Sequence, residues 1–185
     1  MATITQARSR VLHKDLGSPA LGGVANVLAA TASTGSDLEI TAGLTDPPTA
    51  RNVTATAAGT ANDVKAIQVE VIGTNQDGDV LTETLPAFTV NTTGTVTGSK
   101  AFATVTQVNI PTHDGNGATT SVGLGAKLGL GVTLGRDTII AAFQDGVFET
   151  TRPTVTFSSA DVDGNTVDLN TTLDGDAVLI DYYIS

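Results

Sequence analysis

The sequence contains no cysteine and no tryptophan among its 185 residues, and it has only five phenylalanines and two tyrosines. Without cysteine, no disulfide can stabilise the chain and no thiolate can act as a nucleophile. Only two histidines are present, so a structural zinc site is not expected. The scarcity of aromatic side chains also argues against a carbohydrate-binding face, which usually needs exposed Trp or Tyr.

Basic residues are scarce and unevenly placed. Nine Lys and Arg stand against nineteen Asp and Glu, which gives a formal net charge of −10. Three of the basic residues, Arg8, Arg10 and Lys14, lie within the first twenty positions, where Asp15 is the only acidic residue. Because nucleic-acid binding needs clustered Lys and Arg, we expect no nucleic-acid partner. A short basic segment on an acidic chain favours an arm that binds a different surface, with these three residues as candidate anchors.

Long apolar runs are also missing. No stretch approaches eighteen apolar residues, so we predict no membrane-spanning helix and no membrane partner. Residues 1–32 lack the continuous apolar region of a secretory signal peptide, because Gly17, Pro19, Gly22 and Gly23 interrupt them.

Short runs rich in Thr, Val and Ile dominate the chain from Val24 onward, and such residues fit a pleated sheet. The runs are separated by turn residues at intervals of about 8–12 positions, which is typical of a sandwich or barrel. We therefore predict an all-β fold, an antiparallel sandwich or barrel-like domain with an extended N-terminal arm. The arm or linker would cover residues 1–36 and the body residues 37–185. A sub-boundary near 135–137 is the alternative to one continuous body.

The clearest strand prediction is 64–73, where Ile67, Val69 and Val71 alternate with polar residues and share one face. Asp-Gly pairs predict tight hairpin turns at 77–78 and 145–146. The strongest helical signal covers residues 4–14 and amounts to two marginal turns. The predicted strand segments are 24–32, 37–43, 52–57, 64–73, 80–85, 88–90, 95–97, 101–111, 121–134, 138–149, 154–157, 165–170 and 177–184.

Two acidic turns have the alternating oxygen side chains of calcium loops, but neither fits the twelve-residue calcium pattern. We interpret both as hairpin turns with solvated carboxylates, and we expect no metal and no cofactor. The two sets are Asn75, Asp77, Asp79 and Glu83, and Asp161, Asp163, Asn165 and Asp168.

No other motif predicts catalysis. His113 lies beside Asp114, but no serine or cysteine nucleophile accompanies the pair, so we interpret it as a surface-loop histidine in a chain that is not an enzyme. The glycine-rich run 123–131 lacks the spacing of a phosphate-binding loop and predicts a bent or irregular strand. We expect a core position for all of the phenylalanines, Phe88, Phe102, Phe143, Phe148 and Phe157.

The stretch 51–111 resembles a β-rich module that recurs in virion structural proteins of tailed bacteriophages. The residues that carry the resemblance are TETL (82–85) after an Asp-Gly turn, a Thr/Gly stretch, and KAFATVTQVNI (100–110). The closing segment TVDLNTTLDGDAVLIDYYI is similar to the final strands of such proteins. The likeness spans about two-thirds of the chain, and its motifs are conformational rather than catalytic.

This resemblance implies a non-enzymatic protein on the outer surface of the virion, an auxiliary head protein of the decoration or head-fibre type. Its expected partners are the major capsid protein and further copies of itself, commonly as a homotrimer. Two alternatives stay open at this point. One is a host-recognition module that binds a surface glycan, with loop 112–118 as its contact, and the other is a tail-tube or adaptor protein that forms a ring.

Overall fold

The computed structural model describes residues 10–183, whose regular structure is β-strand apart from a single 3-10 turn at Ala61–Asp63. The all-β prediction is therefore confirmed. In chain order the strands are β1 (Val11–Asp15), β2 (Leu28–Ala32), β3 (Leu38–Ile40), β4 (Arg51–Gly59), β5 (Glu70–Thr74), β6 (Val80–Thr84), β7 (Gly94–Phe102), β8 (Thr104–Ile110), β9 (Ala118–Gly129), β10 (Ile139–Gln144), β11 (Val147–Phe148), β12 (Thr154–Thr156), β13 (Thr166–Asp168) and β14 (Val178–Tyr183).

These strands form three sheets in which every pairing is antiparallel. The central sheet has the order β12-β13-β9-β4-β7, with β2 also paired to β9. The side sheet has the order β3-β8-β5-β6. The terminal sheet has the order β1-β14-β10-β11 and so joins the first and last described strands. The pairing of β1 with β14 places residues 11–15 beside residues 179–183.

Two separate hydrophobic cores lie between these sheets. The first core fills the space between the central and side sheets, because alternate residues of strands in both sheets point into it. Its buried members are Val27, Leu28, Val53, Ala55, Ala57, Val64, Ile67, Val69, Val71, Leu81, Leu85, Phe88, Phe102, Val105, Val108, Ile110, Ala118, Val122 and Leu124. The predicted inward face of Ile67, Val69 and Val71 is confirmed here.

The second core lies between the far end of the central sheet and the terminal sheet. It is smaller, and it takes residues from both ends of the chain. Its buried members are Leu16, Leu128, Leu130, Leu134, Ile139, Ala142, Val167, Leu169, Leu173, Val178, Ile180 and Tyr182. We call the part of the chain around each core the first and second lobe.

Strand β9 belongs to both lobes. Its residues up to Leu124 line the first core, and Leu128 already belongs to the second. Between these two leucines the register with β4 shifts at a bulge, which confirms an irregular strand in the glycine-rich run. The change of core therefore falls inside β9, about ten residues before the sub-boundary considered near 135–137.

Side chains of β4 replace the ladder partners that the bulge removes. The Arg51 Nε donates to the carbonyl of Gly125 at 2.7 Å, and the Lys127 amide donates to Asn52 Oδ1 at 3.0 Å. A Cβ at Gly125 would lie 2.2 Å from that same Asn52 oxygen. Only glycine leaves room for this side chain, so the glycine here is required by close approach.

Part of the segment assigned to an arm lies in the sheets. Residues 11–15 form β1, which pairs with β14, and residues 28–32 form β2, which pairs with β9. The helical prediction for 4–14 is wrong over residues 11–14, because strand pairing with the C-terminal segment outweighs a weak local preference. Residues 1–9 and 184–185 lie outside the described residues, so the structure does not test the helical prediction for residues 4–9.

The two Asp-Gly hairpins use different turns. At the second hairpin both Asp145 (φ 49°) and Gly146 (φ 73°) have positive φ, as predicted. At the first hairpin only Gly78 (φ 85°) does, and its amide donates to the Asn75 carbonyl at 3.2 Å. This is a longer turn ending in a glycine bulge rather than a two-residue turn. In residues 10–183 no helix is long and apolar enough to span a membrane.

Candidate functional site

The predicted anchoring residues do not form one cluster. Arg8 lies outside the described residues. Arg10 is exposed immediately before β1, whereas Lys14 is half-buried within β1, opposite Ile180 of β14. Lys14 therefore shares its side of the sheet with the second core, and of these two residues Arg10 is the exposed one.

The first acidic turn uses its oxygens to hold its own backbone. Asn75 is buried, and its Oδ1 accepts hydrogen bonds from the amides of Asp77 and Asp79 at 2.9 and 3.0 Å. The Glu83 carboxylate accepts from the amide and hydroxyl of Ser99 on β7. These bonds fix the hairpin and join the side sheet to the central sheet.

The second acidic turn is organised by one buried asparagine. Asn165 is fully buried, and its Oδ1 accepts from the amides of Leu134 and Ser158 at 3.0 Å each. Its Nδ2 donates to the carbonyls of Ser158 at 2.9 Å and Asp161 at 2.6 Å. Asp163 is also buried and pairs with Lys100 at 3.3 Å. Among residues 10–183 no group of three or more His, Asp or Glu side chains is arranged to hold a metal ion.

His113 is buried, so its interpretation as a surface-loop histidine is wrong. The Lys65 amide donates to its Nδ1 at 3.2 Å, and its Nε2 lies 2.9 Å from the Thr120 hydroxyl. Its ring also packs against Phe88, with centroids 6.0 Å apart. Burial lowers the pKa of His113, against a smaller opposing effect of Asp114. Both ring nitrogens make hydrogen bonds, so the neutral imidazole ties the 112–118 loop to β9 through Thr120.

A buried arginine is the main polar feature that the sequence did not single out. Arg51 is 1% exposed, and its guanidinium donates to the carbonyls of Gly125 and Ala20. Burial lowers its pKa. No carboxylate lies within ion-pair distance among the described residues. The cation is therefore stabilised by backbone carbonyls and connects the N-terminal segment to β9 at the boundary between the lobes.

The terminal sheet presents the most distinctive surface of the molecule, which we call the outer face. Residues on the side of the sheet away from the second core include several large apolar side chains. They are Val11, Ile140, Phe143, Phe148, Leu179 and Tyr183, and four of these are classed as exposed, from 39% for Leu179 to 55% for Val11. The core prediction is confirmed for Phe88 and Phe102 but wrong for Phe148 and Phe157, which are exposed.

The alternation of apolar and polar residues along the sequence does not predict this face. In β14 the residues Val178, Ile180 and Tyr182 are buried, as expected, but Leu179 between them is apolar as well. Phe143 and Phe148 contact each other edge to face across the β10–β11 hairpin, with ring centroids 5.7 Å apart. The available signal was an apolar run without alternation at 139–143, which is typical of a strand covered on both sides.

Small clefts lie elsewhere on the surface. One of them, about 340 Å³, lies along the β3 edge and is lined by Asp37, Leu38, Glu39, Asn109, Ile110 and Pro111. Two of its polar side chains already have partners, since Asp37 accepts from the Thr112 amide and Asn109 donates to Glu70. The outer face and the adjoining edge of β1 are therefore the better candidates for contact with another molecule.

Comparison of this chain with protein-family models, with curated protein sequences and with solved structures found no match.

Proposed function

We propose that this chain is a structural component of a tailed-bacteriophage virion, a decoration protein that docks on the major capsid protein and stabilises the shell. The resemblance of residues 51–111 supports this assignment, and in the fold these residues form strands β4 to β8, most of the first lobe. The contact with the shell is assigned to the N-terminal segment around Arg8 and Arg10.

The observation that carries the proposal is the position of β1 at an open edge. In the part of the chain that the structure describes, β1 pairs with β14 on one side only, and it follows the basic segment in sequence. An open edge strand presents unpaired amides and carbonyls, and a strand of another protein can pair with them. A basic segment leading into such an edge would add charge attraction to an acidic partner surface.

The glycan-binding alternative has less support in the described residues. The 112–118 loop, its predicted contact, is tied to the body at several points. His113 is buried, the Asp114 amide donates to the Asp63 carbonyl at 3.1 Å, and the Gly117 amide donates to the Asp63 carboxylate at 2.9 Å. A loop braced in this way has few free polar groups with which to recognise a sugar.

Deletion of residues 2–9 tests the docking proposal. The deletion leaves β1 and the core residue Leu16 in place, whereas a deletion to residue 20 would remove both. We expect the shortened chain to keep the wild-type melting temperature and to bind phage particles that lack this protein at least about tenfold more weakly. Unchanged occupancy on the particles would contradict the proposal.

A charge variant with a matched control refines this experiment. Replacing Arg8 and Arg10 by Ala should weaken particle binding and reduce its salt dependence, because two charges are lost from the contact. Lys65→Ala removes an exposed basic residue from the first lobe and should bind as the wild type does. Equal effects of both variants would indicate a response to net charge alone.

A further inference from the structure

The outer face carries large apolar side chains on all four of its strands, around the His13–Asp181 pair, which lies on the same side of the sheet. Its exposed side chains lie on four adjacent strands, and paired positions point to the same side. Phe148 lies opposite Phe143, and Phe143 lies opposite Leu179. At the other end, Val11 lies opposite Tyr183. Exposed apolar side chains grouped on one face of a folded chain mark a contact with another molecule.

One end of the terminal sheet is basic. Arg136 lies over the Tyr183 ring at 5.6 Å, and Tyr183 belongs to the outer face. Arg152 donates to the Ile139 carbonyl at 3.0 Å and pairs with Asp137 at 2.7 Å. Arg10 directly precedes β1 at this same end. Three arginines against one aspartate give this end a positive balance, and Arg136 is on the outer face itself.

The opposite end of the same sheet is acidic. Asp15 lies opposite Leu179, and the Asp145 amide donates to the Ala177 carbonyl at 2.9 Å. Asp174 accepts from Gln144 Nε2 at 2.5 Å and from the Asp176 amide at 3.1 Å. The nearby Asp174 carboxylate raises the pKa of Asp176, and desolvation and then the Asp145 carboxylate raise it further. These aspartates repel one another, so a cation placed against this end would be stabilising.

The geometry points to a second copy of this chain as the occupant of the outer face, in a two-fold arrangement that places the arginine end of each copy on the aspartate end of the other. A two-fold axis that lies in the plane of the contact, perpendicular to the strands, turns the two outer faces toward each other. It also reverses the strand direction of the partner and so juxtaposes the opposite charges twice. The apolar residues of each face then pack against those of the partner. Such a contact is isologous, since the same patch serves both copies.

The charge pattern favours this occupant over an unrelated acidic or basic protein. A uniformly charged partner would be attracted to one end of the face and repelled by the other. A second copy carries the same two ends and satisfies both at once. This inference rests on the outer face, whereas the capsid contact is assigned to the β1 edge and the residues before it; Arg10 lies where the two surfaces adjoin.

The area of the outer face limits the expected affinity of the dimer. Four strands spaced about 4.8 Å apart, the longer three with about five residues at 3.3 Å each, cover at most roughly 20 by 17 Å. This is smaller than the about 800 Å² per partner of a standard stable interface. We therefore expect a reversible dimer that forms in the micromolar range or above, and whose dissociation constant rises with salt concentration.

Sedimentation of the full chain over a concentration series tests the contact. The expected result is a reversible rise from the 18.7 kDa chain mass to twice that value. Phe148→Ser and Ile140→Ser, both at exposed positions, should raise the dissociation constant at least about tenfold. Val80→Ser is the matched control, because Val80 is 81% exposed on β6 of the first lobe and should leave the dimer unchanged.

Charge reversal tests the two-fold geometry. Arg136→Glu alone and Asp176→Arg alone each place like charges at both ends of a homodimer and should weaken it. A mixture of these two variants can form a heterodimer in which both ends are again complementary. We expect the mixture to associate more strongly than either variant alone.

Three outcomes would overturn the inference. The first is a chain that stays monomeric at about 1 mM, where even a millimolar contact is half formed. The second is a dimer that is insensitive to Phe148→Ser and Ile140→Ser while their far-ultraviolet circular dichroism is native. The third is a closed trimer or larger ring as the only oligomer, since these need a contact between two different patches.

Discussion

The two lobes of this chain are built from similar strands but leave different surfaces. The first core is enclosed by two sheets and fastened by polar groups such as Glu83 and His113. The second core is covered on one side by the terminal sheet, whose other face also carries large apolar side chains. Within residues 10–183, ten large apolar residues are exposed, and six of them belong to the second lobe: Val11, Ile140, Val147, Phe148, Phe157 and Leu179.

The two lobes therefore differ in the apolar surface that they leave exposed. The first lobe buries most of its apolar side chains between its own two sheets. Among residues 10–183, the second lobe has β1 at a sheet edge and apolar side chains on the outer face, and both are surfaces on which a partner can bind. The experiments below test the comparison in order of decreasing expected effect.

The largest effect is expected from the arginine between the lobes. Arg51→Ala removes the guanidinium from the Gly125 and Ala20 carbonyls and leaves a cavity in its place. We expect a loss of about 3–5 kcal/mol in the free energy of unfolding, because buried acceptors lose a charged donor. Urea denaturation measures this loss, and Arg136→Ala, at an exposed position, should cost less than about 1 kcal/mol. A cost for Arg51→Ala no greater than that of Arg136→Ala would show that the lobes do not depend on this contact.

The next effect concerns the second lobe alone. Asn165→Ala removes four hydrogen bonds that hold the segment between β12 and β13. The expected cost is about 2–4 kcal/mol, since buried amides and carbonyls lose their partners. Thermal unfolding compares this variant with Asn170→Ala at a nearby exposed position, which should be near neutral. Equal melting temperatures would refute the structural role of the Asn165 side chain.

A smaller, pH-dependent effect is expected in the first lobe. Burial lowers the pKa of His113 below its ordinary value of 6.5. The unfolded chain therefore binds a proton at a higher pH than the folded chain, and the stability contributed by neutral His113 is lost as pH falls from about 6.5 towards the folded value. Protonation of Nδ1 would also break the hydrogen bond from the Lys65 amide.

His113→Gln isolates this effect. The variant should cost about 1–2 kcal/mol at pH 8 through altered packing and hydrogen bonding. Its unfolding free energy should then fall less steeply below pH 6.5 than that of the wild type. Parallel pH profiles for the two proteins would mean that other groups cause the acid sensitivity.

The smallest effect belongs to the terminal sheet. His13 contacts Asp181 at 2.5 Å, but its side chain is 76% exposed. Exposed pairs of this kind contribute little, so His13→Ala should change the unfolding free energy by less than about 1 kcal/mol. A loss of several kcal/mol in urea denaturation would show that the terminal sheet depends on this pair rather than on the second core.

Much of the fold could be predicted from local sequence. The alternation of Ile67, Val69 and Val71 and the Asp145-Gly146 turn are short-range patterns, and both are confirmed. The predicted strand at 88–90 is wrong, because Phe88 enters the first core from a loop whose amide bonds the Ile67 carbonyl. A buried apolar residue has similar sequence neighbours whether it lies in a strand or in a loop, so the sequence around Phe88 does not distinguish the two.

The placement of the surfaces could not be predicted in this way. β1 forms because residues 11–15 meet residues 179–183, a pairing across almost the whole chain that no local pattern records. The burial of Arg51 likewise depends on carbonyls contributed by residues 20 and 125. The difference between Leu179 outside and Ile180 inside follows from which face the second core covers.

Hydrogen–deuterium exchange with and without capsids is the most direct test of the proposed partner surface. On binding to phage particles that lack this protein, amides of residues 10–16 should become protected, while those of β4 and β5 in the first lobe keep their exchange rates. Protection confined to the first lobe, or none at all at saturating particle concentration, would contradict the account.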